Sequence, residues 1–415
     1  MTPGLEGTTL PYERVAMVAV VATLAVWAAT CKANDGPLPP PPAPTLDVGV
    51  DQRTTPGRAV SLTARVAPPG ANPSSYRWIM AWGDASVDSG DVGSAGMITL
   101  SHTYAAVGRY ALSLTGRAST GVTANDTATA IVQALGTPQV LIGAGDIAEC
   151  ALPHAQRTAA MIDTISGSVF TLGDNAYPKA SATDYTNCYA PTWGAFKKRT
   201  RPAPGNHEYQ EYKHDTTADG YFGYFGVAAG TPPVGAYSYD LGSWHIIVLN
   251  SSFEESVAAG RALSRDHQLA WLRNDLTAHP AQCTLAMWHH PRFSSGTAHG
   301  NDTLQQPFWH TLYGANADVI LVGHEHNYER FAPQTPDGTL DNARGIREFV
   351  VGTGGGGYDS LDAAKVGQVG NSEVGAMEHG VLKLTLLDGS YHWEFLQTLP
   401  PVHTAFSDSG TASCH

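Results

Sequence analysis

Two histidines separated by one residue follow an apolar stretch near residue 320. The segment Asp318–Arg330 reads DVILVGHEHNYER, and its apolar run Val319–Val322 predicts a buried strand. Because alternate side chains of an extended chain point the same way, His324 and His326 can face one point just past the strand end. Imidazoles are common ligands of transition metals, so the pattern suggests a metal site. Taken alone, it is equally compatible with two surface histidines on a loop.

Four further segments place side chains of metal-binding types where an apolar strand ends or a loop opens beside one. They supply Asp146 in VLIGAGDI, Asp174 in VFTLGDN, Asn206 in PGNHEY and His289 in TLAMWHH. Ligand sites of open α/β sheets lie at the carboxyl ends of the strands, so we expect all these side chains to meet on one rim. Each motif is weak by itself, but the whole set in strand-end contexts indicates a single metal centre.

The donor types fit a hydrolytic centre with two metal ions. Carboxylate and amide oxygens suit hard cations, and imidazoles suit Zn, Fe or Mn. Asp174, from the middle motif, is the candidate to bridge two ions, which lie roughly 3.5–4 Å apart in such centres. A metal pair can lower the pKa of a bound water and neutralise charge in an in-line displacement at phosphorus. No serine or cysteine nucleophile is required.

The elements that must position these residues alternate between strand and helix after Gly136. QVLIGAGDI precedes a helix around HAQRTAAMIDTI, and the alternation continues through SRDHQLAWLRNDLTAH, CTLAMWHHP and DTLQQPFWHTLYGAN. This order predicts an α/β sandwich. The chain then closes with strands, including a hairpin that turns at Asp388–Gly389.

Residues 46–135 have a different pattern and predict a small all-β, immunoglobulin-like sandwich. Short alternating segments such as AVSLTARVAP, MITLSHTY and RYALSLTGRA are separated by turns. WGDASVDSG and SHTYAAVGRYALSLTGRA resemble the PKD-type immunoglobulin-like domain. We find no catalytic cluster here and expect the module to make glycan or protein contacts.

The N-terminus carries an export signature. Arg14 precedes the apolar run Val15–Ala29, which is too short for a comfortable transmembrane helix. Small residues then lead to Cys31, as in a bacterial lipoprotein signal, so residues 1–31 are predicted to be a signal peptide and lipidated Cys31 a membrane anchor. Plain cleavage and secretion is the alternative. Both place the mature chain outside the cytoplasm, secreted or in the cell envelope, after a Pro-rich linker at residues 32–45.

Cysteine count and charge set further bounds. Cys150, Cys188, Cys283 and Cys414 permit disulfides in an exported chain, with three pairings open. The formal net charge of −13 leaves no basic stripe for phosphate backbones, which argues against a nucleic-acid partner. A small phosphorylated substrate stays compatible, because bound metal ions can dominate the local field.

The ordered motif set GD, GDNAY, GNHE, HH and GHEHNYER resembles the calcineurin-like metallophosphoesterases, and within them the purple acid phosphatases. The resemblance implies a four-layer α/β/β/α fold over residues 136–400, with residues 401–415 as a C-terminal tail. It also implies an acid phosphatase that hydrolyses phosphomonoesters by attack of a metal-bound hydroxide.

The same resemblance implies Fe(III) in the first position and Zn, Fe or Mn in the second. It assigns the first ion to Asp146, Asp174, Tyr177 and His326 and the second to Asp174, Asn206, His289 and His324. A phenol with an ordinary pKa of about 10 needs a strongly acidic cation to remain ionised at neutral pH. A trivalent metal beside Tyr177 is therefore expected on physical grounds, against the alternative of an aromatic turn residue packed before Pro178.

Two further histidines are implied to act on the substrate. His207 follows Asn206, and His299 lies ten residues beyond His289 in SSGTAHGND. The family often has two adjacent histidines in this loop, whereas here Ala298 precedes His299, which leaves the acid for the leaving group open. We interpret His290 as structural.

Two other functions stay open at this point. A phosphodiesterase or nucleotide hydrolase could use the same centre. A surface adhesion or glycan-binding protein could use the fold as a non-catalytic scaffold. That hypothesis does not explain why residues of metal-binding types occur at all five strand ends.

Overall fold

The computed structural model describes residues 45–67, 76–91, 96–118, 121–209, 217–252, 265–357, 361, 366, 370–401 and 405–415. These residues fall within one compact unit, Pro41–His415. The predicted signal peptide, Cys31 and nearly all of the linker lie outside the described residues. Among the described residues, no helix combines the length and apolarity that crossing a membrane requires.

The N-terminal part is a sandwich of two β-sheets. Its strands are β1 Thr45–Asp47, β2 Gln52–Thr54, β3 Ala59–Ala67, β4 Tyr76–Ala81, β5 Val87–Asp91, β6 Met97–Thr103, β7 Gly108–Ala118 and β8 Thr123–Val132. One sheet has the order β1-β3-β6 and the other β2-β8-β7-β4-β5. Alternate residues of β3 are buried, as expected for a strand with one face on a core. The all-β prediction for this region is confirmed.

Two larger sheets form the centre of the second part. Their strands are β9 Gln139–Ala144, β10 Ser168–Thr171, β11 Thr200–Arg201, β12 Tyr237–Leu241, β13 Trp244–Val248, β14 Cys283–Met287, β15 Val319–Val322, β16 Tyr328–Phe331, β17 Arg347–Val351, β18 Ser372–Ala376, β19 Gly380–Leu387, β20 Ser390–Gln397 and β21 Asp408–Ser413. The sheet orders are β11-β10-β9-β19-β20-β21 and β12-β13-β14-β15-β17-β16-β18. β9, β10 and β11 are parallel, and so are β13, β14, β15 and β17.

Helices cover the outer faces of these sheets. The α-helices are α1 His154–Asp163, α2 Ala182–Asp184, α3 Asn206–Tyr209, α4 Asp219–Phe225, α5 Arg265–Ala278 and α6 Gln306–Gly314. The shorter turns are a π-helix at Tyr185–Tyr189 and 3-10 helices at Trp193–Arg199, Gly226–Ala229 and Thr303–Gln305.

The burial of β13 shows how the layers stack. Ile246 and Val248 join the core shared by the two sheets, whereas Ile247 joins the core beneath α5 and α6. Successive strand residues face opposite sides, so an apolar run on every position needs cover on both faces. The resulting order is helix, sheet, sheet, helix, which confirms the predicted fold class.

The last residues do not form the separate tail expected at 401–415. β21 pairs antiparallel with β20 from Ser390↔Ser413 to Phe395↔Asp408, and so extends the sheet. A disulfide joins Cys283 at the start of β14 to Cys414. The tail was placed where the family resemblance ends, but β21 is an edge strand with alternating partly buried and exposed residues, and such a strand needs few apolar residues.

The second disulfide joins Cys150 to Cys188, with Cα atoms 4.8 Å apart. One of the three open pairings is therefore selected. Both bridges lie in the α/β part, and neither involves the N-terminal sandwich.

Candidate metal centre

The predicted donor residues come from separate segments that meet at one rim of the two sheets. Asp146 and Asp174 follow β9 and β10, and His289 follows β14. His324 and His326 follow β15, while Asn206 begins α3. Parallel strands end at the same edge, which is why residues far apart in sequence become neighbours here.

Three of these donors have a left-handed backbone conformation. The φ angles are +59° at Asp146, +48° at Asp174 and +72° at His324. Non-glycine residues adopt this region rarely, and such strain is concentrated at functional sites. The sharp turn that each angle makes at a strand end aims the side chain back across the rim.

Two glycines of the motifs are required because a side chain at either position would clash with a donor carboxylate. A Cβ added at Gly323 would come 2.7 Å from Asp146 Oδ2, and one added at Gly205 would collide with Asp174 Oδ1. The two carboxylates thus lie directly against backbone, which holds them in place.

The first group of donors surrounds the Tyr177 hydroxyl. This oxygen lies 3.0 Å from Asp146 Oδ1, 3.0 Å from His326 Nε2 and 3.4 Å from Asp174 Oδ2. His326 Nε2 also lies 3.2 Å from Asp146 Oδ1. Four side chains from three strand ends therefore converge on one small volume.

The second group surrounds the Nε2 atom of His289. That atom lies 2.8 Å from Asn206 Oδ1, 3.1 Å from His324 Nδ1 and 3.4 Å from Asp174 Oδ2. Asp174 thus belongs to both groups, in the position that a bridging carboxylate requires. The ligand atoms of Asp146, Asp174 and His289 all lie within 4.8 Å of one another.

The chemistry of this donor set fits two cations. Asp146 and Asp174 are buried, and among the described residues their ion-pair partners are histidines alone. Buried carboxylates without a lysine or arginine are costly unless a metal neutralises them. His289 Nδ1 donates to the Leu172 carbonyl at 2.7 Å, so the neutral ring keeps a lone pair at Nε2 for a metal.

The Tyr177 phenol is strongly held in its neutral form when no cation is present. Burial raises its pKa well above the ordinary value, and Asp146 and Asp174 raise it further. A cation among these oxygens would reverse the sign of the local field.

Glu208 ties two of the donor loops together, a role that the sequence prediction missed. Its carboxylate accepts hydrogen bonds from the backbone N–H of Asp174 at 2.9 Å, of Asn175 at 2.8 Å and of Gly205 at 2.6 Å. The Tyr185 hydroxyl donates to it at 3.0 Å. The signal was present in the GNHE motif, where this glutamate lies two residues after Asn206.

The two histidines expected to act on substrate lie at the mouth of the site. His207 Nδ1 donates to the Pro178 carbonyl at 2.7 Å, and its Nε2 lies 3.7 Å from Asp174 Oδ2. The exposed ring of His299 lies over that of His324, with centroids 3.9 Å apart. Their roles toward substrate remain predictions.

The loop that carries His299 is fixed through its backbone. Glu325, between His324 and His326, accepts the backbone N–H of His299 at 2.8 Å. Further along the same segment, Glu329 accepts the backbone N–H of Ser295 at 2.8 Å, and Arg330 Nε donates to Asp408 at 2.7 Å.

The fold and this convergence of donors define a metallophosphoesterase. A model of the calcineurin-like phosphoesterase family matches residues 128–328, and a model of the PKD domain matches residues 41–133. The chain is a calcineurin-like metallophosphoesterase with a PKD domain, and it is distantly similar to purple acid phosphatases. The resemblance found in the sequence is confirmed, and the family implies a binuclear metal site.

Individual relatives are distant. Purple acid phosphatase 23 of Arabidopsis thaliana is 26% identical over 227 residues, which are 51% of this chain and 45% of that protein. A probable cyclic nucleotide phosphodiesterase of Moraxella catarrhalis (strain BBH18) is 33% identical over 101 residues, 23% of this chain and 35% of that one. The chain spans less than half the length of the curated relatives it matches.

A solved structure shares the fold over most of the chain. Purple acid phosphatase PPD1 from yellow lupin (Lupinus luteus) seeds superposes with a TM-score of 0.57 at 16% identity, covering 89% of this chain and 74% of that chain.

Proposed function

We propose that the chain is an exported phosphatase that hydrolyses small phosphomonoesters with two metal ions, the first of them Fe(III). The observation that carries this proposal is the position of Tyr177, whose hydroxyl lies between Asp146 and His326 at 3.0 Å from each. A buried phenol beside two carboxylates ionises only if a strongly acidic cation compensates. The second ion is Zn, Fe or Mn.

When bound, the ion pair supplies Lewis acidity and a water of lowered pKa. The chain's own residues hold the geometry. Asp174 lies between the two donor groups, and its Oδ1 also accepts the His207 backbone N–H at 2.9 Å, which fixes the carboxylate plane.

His207 and His299 are proposed to handle the substrate. Because His207 donates through Nδ1 to Pro178, its Nε2 remains to exchange a proton with a phosphoryl or leaving-group oxygen. Attack of water at phosphorus breaks the ester P–O bond, and the alcohol leaves with a proton. An exposed His299 beside His324 can donate to the same phosphoryl group.

Export is supported by the two disulfides of the α/β part, Cys150–Cys188 and Cys283–Cys414. Disulfides form and persist in oxidising compartments outside the cytoplasm.

The test of the proposal is the visible spectrum of the purified chain together with its turnover of p-nitrophenyl phosphate. We expect a tyrosinate-to-iron charge-transfer band that disappears in Tyr177→Phe. A colourless chain with full zinc occupancy and full activity would refute the iron assignment. A metal-loaded chain without phosphomonoester turnover would refute the substrate class.

A phosphodiesterase is the second candidate, and the similarity to a probable cyclic nucleotide phosphodiesterase favours it. The same centre can accommodate a diester if the mouth leaves room for a second ester group. Comparing turnover of p-nitrophenyl phosphate with bis-p-nitrophenyl phosphate separates the two. We expect the monoester to be the better substrate.

A further inference from the structure

His290 lies at the mouth of the metal centre, although the sequence suggested only a structural role. Its ring centroid lies 4.3 Å from that of His324 and 5.0 Å from that of His289. One ring nitrogen of each of these three histidines lies within 4.8 Å of the others. His290 is partly exposed whereas His289 is fully buried, so a molecule entering the site can reach it.

The hydrogen bonds of Ser251 determine which nitrogen of His290 carries the proton. The Ser251 hydroxyl oxygen accepts the backbone N–H of His290 at 3.0 Å and that of His289 at 3.3 Å. Two acceptor positions are then used, so the hydroxyl proton is left for His290 Nδ1, which lies 2.8 Å away. Nδ1 is therefore an acceptor, and the neutral ring carries its proton on Nε2.

This tautomer decides between two roles for the ring. A metal ligand needs a free lone pair, but Nδ1 of His290 is engaged by Ser251 and Nε2 is protonated. The metal-facing nitrogens of His289 and His324 already supply the imidazoles of the second donor group. What His290 offers is a fixed N–H donor beside that group.

We propose that His290 is a further substrate-contacting residue, whose Nε2–H donates a hydrogen bond to a phosphoryl oxygen held at the second donor group. The inference rests on the proposed phosphatase function. Negative charge on that oxygen grows as water attacks phosphorus, and a donor already oriented for it stabilises the transition state. Ser251 is the positioning residue, because it holds the ring in the donating tautomer.

Two substitutions at the position separate the possible roles. His290→Gln keeps an N–H donor near the place of Nε2, whereas His290→Leu removes it. We expect kcat/KM for p-nitrophenyl phosphate to fall about 100-fold in His290→Leu, at the lower end of the range for loss of one such donor. In His290→Gln, which keeps a donor in altered geometry, it should fall only about 10-fold. The affinity for inorganic phosphate, measured by calorimetry, should fall in the same order, with metal content unchanged. The matched control is His310→Leu, which replaces an exposed histidine on α6.

The outcomes are distinct. Loss of one ion per chain in both variants would show a metal ligand and overturn the proposal. So would a His290→Leu variant that folds, holds both ions and keeps full turnover, or an equal loss of turnover in both variants. A metal-loaded wild-type chain that neither hydrolyses the monoester nor binds phosphate would refute the proposed function, and the inference with it.

Discussion

At the scale of single residues, the site depends on carboxylates that are held by backbone rather than by cations. Asp146 Oδ2 accepts the backbone N–H of His324 at 2.8 Å, and Asp174 Oδ1 accepts that of His207 at 2.9 Å. Each donor loop is thereby fixed to another before any ion binds. Preorganisation of this kind lets the chain hold a metal without first ordering its ligands.

Glu208 provides the sharpest test at this scale. In Glu208→Gln, one carboxylate oxygen is replaced by an NH₂ group, which would face the backbone N–H groups of Asp174, Asn175 or Gly205. We expect metal affinity to fall about 10- to 100-fold, as for other residues that orient ligands, while the fold is retained. Metal-binding titration measures this. Asp266→Asn, an exposed carboxylate on α5, should leave the affinity unchanged, and an unaltered affinity in Glu208→Gln would contradict the assignment.

The convergence of the donor segments could be predicted from the sequence, because each predicted donor lies in a short motif at a strand end or beside one. The motif residues themselves specify a turn next to Asp146, next to Asp174 and next to His289. The orientation of His290 could not be predicted in this way. It depends on Ser251, which follows a different strand and becomes a neighbour only when β13 and β14 pair.

At the scale of elements, a buried histidine joins β12, β13 and α5. His245 on β13 lies 3.0 Å from Asp240 on β12 and 2.8 Å from Asp275 on α5. Burial alone would lower the pKa of His245, but hydrogen bonds to these two carboxylates outweigh burial and raise the pKa to about 9. The ring is therefore charged at neutral pH, and its stabilising contribution depends on pH.

The sign of that dependence follows from the raised pKa. The contribution is fully present below the unfolded pKa of about 6.5 and is lost as pH rises through about 9. We expect His245→Gln to lower the free energy of unfolding by about 3 kcal/mol at pH 6, the scale for breaking a buried ion pair. The deficit should shrink between pH 7 and pH 10. Urea unfolding across this range, with His310→Gln as control, measures it, and a deficit that grows with pH would contradict the account.

Strand β21, which lies in the segment predicted as a tail, contacts the strand that follows the loop of His324 and His326. Asp408 on β21 accepts hydrogen bonds from the Tyr328 hydroxyl at 2.6 Å, from Arg330 Nε at 2.7 Å and from Trp393 Nε1 at 3.1 Å. Tyr328 and Arg330 belong to β16, which begins two residues after His326. No local sequence pattern near residue 408 predicts these hydrogen-bond partners, because all of them are distant in sequence.

Removing that carboxylate should therefore loosen the first donor group. We expect Asp408→Ala to lower the free energy of unfolding by about 2–3 kcal/mol, since it removes the shared acceptor of three side chains, although Arg330 keeps its ion pair with Glu373. Metal affinity should fall about tenfold in the same variant. Ser409→Ala, the exposed next residue of the strand, is the control for both measurements. Wild-type metal affinity in a destabilised Asp408→Ala chain would restrict the residue to a structural role.

At the scale of the whole molecule, the PKD domain is held against the α/β domain by contacts beyond the direct chain connection between β8 and β9. Asp47 Oδ2 accepts the backbone N–H of Val227 at 2.9 Å, and Asp51 N–H donates to the Lys198 carbonyl at 2.7 Å. Arg58 pairs with Asp240 at 2.7 Å, next to the His245 cluster. Both domains could be predicted from their periodicity, but these contacts between distant loops could not.

A docked PKD domain should unfold together with its neighbour. We expect one calorimetric transition for the full chain, and two in a variant that combines Asp47→Ala with Arg58→Ala. Exchange of Asp91, exposed on β5, for alanine should leave a single transition. Two transitions in the wild-type chain would show that the contacts are too weak to couple the domains.

We expect one set of side chains from five segments to hold two cations, with Asp174 shared between them. The most direct test is the metal-to-protein ratio of the purified chain after it is loaded with metal ions and desalted. Elemental mass spectrometry measures this ratio. We expect two ions per chain in the wild type and fewer than one in Asp174→Asn. A wild-type ratio below one, or an unchanged ratio of two in Asp174→Asn, would contradict this expectation.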